Sequence, residues 1–345
     1  MAIRRFLGAL KPLMQQTSPS IDDVARPRRR VPMRLILGVL VTGGLVFAAF
    51  SAPWAEAGPV LLAADPFWVA VALLAYVSIY PMRLVQWQLI AGAPSPVSWR
   101  RMFEVVALSS VASNALSALA GVAASATLLV TRGRMTIAQA ASFMTLDQLL
   151  AAITKALVIV WAALLVPLPE PLASGAAGFA GLVVVFLIAV VAIAYWPGLV
   201  GPLVRSPRPL LARTGAWLQR YTAGLGSMRS PGRAAAIFVL ALLKRGADVV
   251  AAYAIQAACG LEASVTTAVL VVAALGITTA VPTVPGSVGV YTATVFVVYQ
   301  FLGIPAASGL AAGILQHLVE LVPALIVGYG ALLLSRRPAA AAQDA

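Results

Sequence analysis

An apolar run from Ser264 to Leu302 is broken near its middle by Pro282-Thr283-Val284-Pro285-Gly286-Ser287-Val288-Gly289, and this break constrains the fold more than any other stretch. A bilayer core of about 30 Å takes about 20 helical residues, so the run is too long for one ordinary span. Two prolines and two glycines within eight residues do not continue a helix. The simplest solution is two half-helices that meet at a broken tip. Non-helical backbone at membrane depth persists only where protein or a water-filled cavity satisfies its N–H and C=O groups, so the break set by Pro282 and Pro285 implies a cavity. Gly286, Ser287 and Gly289 leave backbone N–H groups of the second half-helix uncovered, and the positive end of that helix then faces inward, which suits an anion. The alternative is a single proline-kinked helix.

Hydrophobic residues make up 61% of the chain and charged residues 10%, with a mean hydropathy of +0.95. This balance describes an all-α polytopic membrane protein. It leaves no room for a soluble enzyme domain, because the longest non-apolar stretches, 1–32 and 197–233, lack the periodic apolar residues of a core. A net charge of +13 would point to nucleic acid in a soluble protein. In a membrane protein excess arginine sets topology first, so no nucleic acid is expected and anionic membrane lipids are the expected partners. Cys259 and His317 are each the sole residue of their kind; neither a disulfide nor a zinc set follows, and no metal or cofactor is expected.

Basic residues then assign sides. Arg4, Arg5, Lys11, Arg26 and Arg28 to Arg30 precede the first apolar segment, about Met33 to Ala52, and keep the N-terminus inside. Ala55-Glu56-Ala57 resembles a signal-peptidase site, but a segment of this length after so long a tail fits an anchor better. Spans follow at Pro66 to Ala91, Ile137 to Val166, Leu172 to Trp196, Ala234 to Cys259 and Ala306 to Leu334. Reading Phe103 to Val130 as one span would put Arg132 and Arg134 outside, whereas a hairpin that enters and leaves on the inner side, broken within the small polar stretch Ser109 to Gly121, removes the conflict. Outer loops then hold Glu56, Asp65, Glu170 and Glu262 without any Lys or Arg.

The expected fold is six spanning helices plus two re-entrant helical hairpins. Span, span, inner hairpin, span (about 33–166) is followed by span, span, outer hairpin, span (about 172–334), each element inverted relative to its counterpart, as in alternating-access transporters. The transmembrane domain occupies 33–334, with a basic cytoplasmic loop at 197–233 and cytoplasmic tails at 1–32 and 335–345. The cytoplasmic membrane is the expected location, with both termini inside.

Arg83, Glu104, Asp147, Lys155, Lys244, Arg245, Asp248 and Glu320 fall within apolar segments. Ionised side chains there normally face the protein interior and pair. Lys244 and Asp248 stand at i and i+4 and are expected to pair, leaving Arg245 without a partner on its own segment and free to hold a phosphate through its planar fork. His317 and Glu320 stand at i and i+3 on the last span, with His317 expected as a hydrogen-bonded core residue. Asp147 and Lys155 share one helix face, and Tyr76, Tyr80, Arg83 and Trp87 form one stripe. Arg83 and Glu104 either line the cavity or reach to the inner surface. Lys155, Lys244, Arg245 and Asp248 lie deeper and are placed at the cavity.

The Pro282 to Gly289 stretch resembles the Pro-x-x-Pro-Gly-Gly-x-Gly break of the flippase-like family that includes the transmembrane region of lysylphosphatidylglycerol synthases. Met82-Arg83-Leu84-Val85-Gln86-Trp87 is similar to the Arg and Trp that end that family's second span, and Asn114 lies in the first hairpin. Gly224 to Pro231 resembles its loop before the sixth apolar segment. The chain differs where the family has a Glu after the break (here Tyr291 and Thr292), an Arg in the last span (here His317) and a Glu-Arg pair in the fourth segment (here Asp147-Gln148). The resemblance implies lipid translocation. The family's cytosolic aminoacyltransferase domain has no counterpart after Leu334, so lysyl transfer is not expected of this chain.

The resulting expectation is a translocase of an anionic lipid or lipid-linked intermediate. Arg83, Lys155, Lys244, Arg245, Gly286, Ser287 and Gly289 are its substrate-binding candidates, and Asn114, Asp147, Asp248, Pro282, Pro285, His317 and Glu320 its structural or coupling residues. A second class is a non-transporting module that anchors or regulates a separate synthase or transferase acting on lipids or glycans. An intramembrane enzyme ranks behind both, since the His and the Cys fall on different segments and no nucleophile with a base is evident. No phosphate-binding loop of the P-loop type occurs.

Overall fold

The computed structural model describes residues 54–92, 97–115, 118–166, 176–178, 180–188, 214–216, 219–222, 226, 230–279 and 288–335. Among them every regular element is helical: α1 (Trp54–Leu62), α2 (Pro66–Ala91), α3 (Trp99–Ala115), α4 (Ala118–Thr131), α5 (Ile137–Leu165), α6 (Pro231–Ala258), α7 (Val265–Thr278), α8 (Val288–Phe301) and α9 (Ala306–Ser335), with a further short apolar helical stretch over Ala176–Ile188. The helix starts follow from local chemistry. Asp65 caps α2 by accepting from the Phe67 amide, and proline occupies the first turn, where its missing donor costs nothing. Thr136 and Gln139 form a capping box at the start of α5.

Three helices are long and apolar enough to cross a membrane: Pro66–Ala91, Ile137–Leu165 and Ala306–Ala331. Helix α6 has 28 residues, about 42 Å of rise, but carries Lys244, Arg245 and Asp248 in its interior. The expected spans at Met33 to Ala52 and Leu172 to Trp196 lie wholly or partly outside the described residues. Outward-facing side chains are themselves apolar, including Phe67 and Leu74 on α2, Trp161 and Leu164 on α5 and Ile326 on α9. In water such a surface would drive association; lipid is its natural solvent.

Helices α2 and α6 run antiparallel along their full length. At one end the Asp65 amide donates to the Ala258 carbonyl at 2.9 Å, and at the other Gln86 Nε2 donates to the Ile237 carbonyl at 3.1 Å. One apolar core, with Ala72, Ala251, Ile255, Val269 and Val295, surrounds the first end, and a second, with Trp87, Met102, Phe143, Leu146 and Ile237, surrounds the other. Helices α3 and α4 pack side by side at that second end, where Gln88 Nε2 holds the Val97 carbonyl at 3.1 Å. Helices α7 and α8 pack together from the first end, where Gln256 Oε1 accepts from the Ser264 amide at 3.1 Å. The two short pairs therefore approach the middle of the α2–α6 pair from opposite ends, and polar chemistry collects between them.

Candidate functional site

Between the two cores lies a cavity of about 290 Å³. Tyr76, Tyr80 and Arg83 of α2 recur at three- and four-residue spacing and so share the face turned toward it. Lys155 reaches it from α5, Lys244, Arg245 and Asp248 from α6, and His317 and Glu320 from α9. Ser110, Ser113 and Asn114 close it from the end of α3, and Leu275, Gly276, Thr279 and Tyr291 from α7, its C-cap and α8. Most charges that the sequence places inside apolar segments thus meet in one space.

Each cation is held differently. Arg83 donates from Nη1 to Ser110 Oγ at 3.4 Å, and its Cζ lies 5.4 Å from the Trp87 ring centre; Arg83 lines the cavity, and the alternative reach to the surface is not what the side chain does. Lys155 Nζ lies 3.5 Å from Thr279 Oγ1, beside the last carbonyls of α7, where the helix dipole favours a positive charge. Gly276 lies beside the Lys155 stem: a Cβ there would sit 3.7 Å from Lys155 Cγ, an ordinary contact. The expected Lys244–Asp248 pair is not formed. Arg245 Nη1 instead meets Asp248 Oδ2 at 2.8 Å, so Arg245 is not the unpartnered cation of α6. Positions i+3 and i+4 are both neighbours on a helix surface, and a guanidinium reaches a carboxylate with a better-directed donor than an ammonium. Lys244 lines the cavity and makes no ion pair among the described residues.

On the opposite side Gln316 Nε2 donates to the Tyr76 hydroxyl at 3.0 Å, and the Tyr76 and Tyr291 hydroxyls lie 3.0 Å apart. Glu320 lines the same cavity as Tyr76 and Tyr291. His317 is 8% exposed, packs its ring against Tyr291 with centroids 5.2 Å apart, and finds no hydrogen-bond partner for either ring nitrogen among the described residues. It is therefore not the hydrogen-bonded core residue expected of it: its neighbour is an aromatic ring, not an acceptor or donor in line.

Other candidates fall elsewhere. Asp147 is buried behind the cavity, where its Oδ1 accepts from Trp87 Nε1 at 2.8 Å, so it fixes α2 against α5. Glu104 pairs with Arg132 at 3.0 Å and with Arg100 at 3.7 Å, at the base of the α3–α4 pair. Gly289 lies in the first turn of α8, exposed. Pro282, Pro285, Gly286 and Ser287 lie outside the described residues. Thr279, Tyr291 and Gln316 were not singled out as site residues from the sequence. A signal for Gln316 was available: Gln316, His317 and Glu320 form a short polar cluster within an otherwise mostly apolar helix, the pattern that membrane burial makes costly.

Residues 35–328 match the family model described as the lysylphosphatidylglycerol synthase TM region. No curated protein and no solved structure matches the chain.

Proposed function

The chain belongs to the family of the lysylphosphatidylglycerol synthase transmembrane region, and from that premise we propose that it is a translocase of an anionic lipid or lipid-linked intermediate across the cytoplasmic membrane. One observation carries the reading: the cavity between the two short helix pairs is lined by four basic side chains, Arg83, Lys155, Lys244 and Arg245, against two acidic ones, Asp248 and Glu320. An excess of positive charge at membrane depth is costly unless an anion complements it. Lys244, which makes no ion pair among the described residues, and Lys155, on the Thr279 hydroxyl, are the cations best placed to meet a phosphate, whereas Arg245 already holds Asp248. The chemistry is binding without bond making, and acyl tails remain in lipid while the headgroup crosses.

The helix lengths favour two re-entrant hairpins and an inverted repeat. Helices α4, α7 and α8 have 14 residues each, about 21 Å of rise, too short for a core of about 30 Å. Six spans then complete the scheme, with both termini on the cytoplasmic side. The test is translocation in proteoliposomes, read by quenching of fluorescent phosphatidylglycerol and phosphatidylcholine from one leaflet. The expected result is faster movement of the anionic lipid, with that preference reduced in Lys244→Met. Equal rates for both lipids in the wild type, or no movement beyond protein-free vesicles, would leave the non-transporting module as the better reading.

A further inference from the structure

The Tyr76 and Tyr291 hydroxyls on the cavity wall are hydrogen-bonded to each other, and Gln316 donates to the first of them. A carboxylate can only accept and the Gln316 amide nitrogen can only donate. Gln316 donates to Tyr76, and with Glu320 ionised in the same cavity one order follows, Tyr76 donating to Tyr291 and the Tyr291 hydroxyl turned toward the carboxylate. With Glu320 protonated, its O–H becomes a donor to Tyr291, and Tyr291 in turn donates to Tyr76, whose oxygen has two lone pairs to accept from both sides. Turning two hydroxyl rotors passes between the two orders without moving a helix, and in the second the Tyr76 hydrogen is released from Tyr291 toward the cavity that Tyr76 lines.

We propose that Glu320 is a proton-binding site coupled to the anion site, so that a proton and an anionic headgroup occupy the cavity together; this rests on the anion reading above. The groups facing Glu320 are Tyr76 and Tyr80 of α2, Lys155 of α5, Arg245 and Asp248 of α6, and Tyr291 of α8. Arg83, Lys244 and His317 line the same space, while α1 and α3, which also pack on α9, bring no titratable side chain to it. Asp248 is occupied by Arg245 at 2.8 Å, which leaves Glu320 as the carboxylate open to a proton. A phosphate that engages Lys155 and Lys244 takes up positive charge that otherwise compensates Glu320 and adds a negative charge nearby. Both effects favour a proton on Glu320. By reciprocity that proton raises the affinity for the anion by the same factor.

Isothermal titration of dihexanoyl phosphatidylglycerol into the purified full-length protein, in buffers of different ionisation heat, counts protons directly. The expected result is net proton uptake on binding and an affinity that falls by up to about tenfold per unit of rising pH through the transition. Glu320→Gln binds without uptake and with a flat pH profile. Tyr291→Phe, which removes the donor to the carboxylate, keeps the uptake and moves its midpoint to higher pH; this variant decides the matter if Glu320→Gln does not fold. Binding by the wild type without proton uptake overturns the proton site and leaves the anion site standing, as does uptake that survives in Glu320→Gln but is lost in His317→Gln. Absence of any lipid binding overturns both.

Discussion

The two short helix pairs differ in how they are held. The α3–α4 pair is tied within itself: Glu104 and Arg132 close its base at 3.0 Å, and Gly121 brings α4 so close to α3 that a Cβ there would fall 2.7 Å from Ser113 Cβ. Among the described residues the α7–α8 pair is joined by a side-chain link from Thr294 to Thr278 at 3.1 Å. It is otherwise fastened to its neighbours, through Thr279 to Lys155 of α5, Tyr291 to Tyr76 of α2 and Ser264 to Gln256 of α6. The difference teaches where function should respond. Changes at the base of the first pair should register as stability, because Glu104 and Arg132 lie away from the cavity that Ser110 and Ser113 line. Changes in the second should register as activity, because its contacts are cavity residues.

Substitutions can break this contrast, the largest effect first. Gly121→Ala sets a Cβ within 3.0 Å of Ser113 Cα, a backbone atom that cannot turn away. About 1–3 kcal/mol of stability should be lost, read as a lower midpoint of thermal unfolding in detergent. Its counterpart Gly276→Ala meets only the flexible Lys155 stem, at 3.7–3.8 Å, and should stay within about 1 kcal/mol of wild type. A loss in Gly276→Ala as large as in Gly121→Ala would erase the distinction.

Lys155→Met should lower anionic-lipid translocation about tenfold, roughly 1.4 kcal/mol of barrier, with little change in the unfolding midpoint. It removes both a cavity cation and the hydrogen bond at the C-cap of α7. Arg132→Gln, at the base of the first pair, should do the reverse. The Arg132 side chain is 36% exposed, so about 1 kcal/mol of stability is at stake and less of it in high salt, while the lipid preference persists. Smallest is Thr294→Val, which removes the link to Thr278. It should cost about 0.5–1 kcal/mol, checked by the same unfolding midpoint.

Much of the architecture was legible because membrane burial makes sequence signals blunt. The bounds of α2 coincide with the expected Pro66 to Ala91 span, since Asp65 and Pro66 mark its start unambiguously. Helix α3 ends at Ala115 and α4 begins at Ala118, both within the expected stretch from Ser109 to Gly121. Pairing was less legible. Whether Asp248 takes Lys244 or Arg245 depends on rotamers and on what else each cation touches, which spacing along one helix does not encode. The Gln316–Tyr76–Tyr291 chain joins residues 240 and 215 positions apart. Only the packing of α2, α8 and α9 brings it together, so no local pattern could announce it.

The most direct measurement of the central claim, that an anionic headgroup enters the cavity between the two pairs, uses the wild-type protein and a phosphatidylglycerol bearing a photoreactive group on its headgroup. After irradiation in proteoliposomes, labelled residues are mapped by mass spectrometry. Label on cavity residues such as Tyr80, Lys244 and Leu275, diminished by an excess of unmodified phosphatidylglycerol and not by phosphatidylcholine, is the predicted result. Label confined to lipid-facing residues such as Val239 and Leu243, with the cavity residues unmodified, would contradict it.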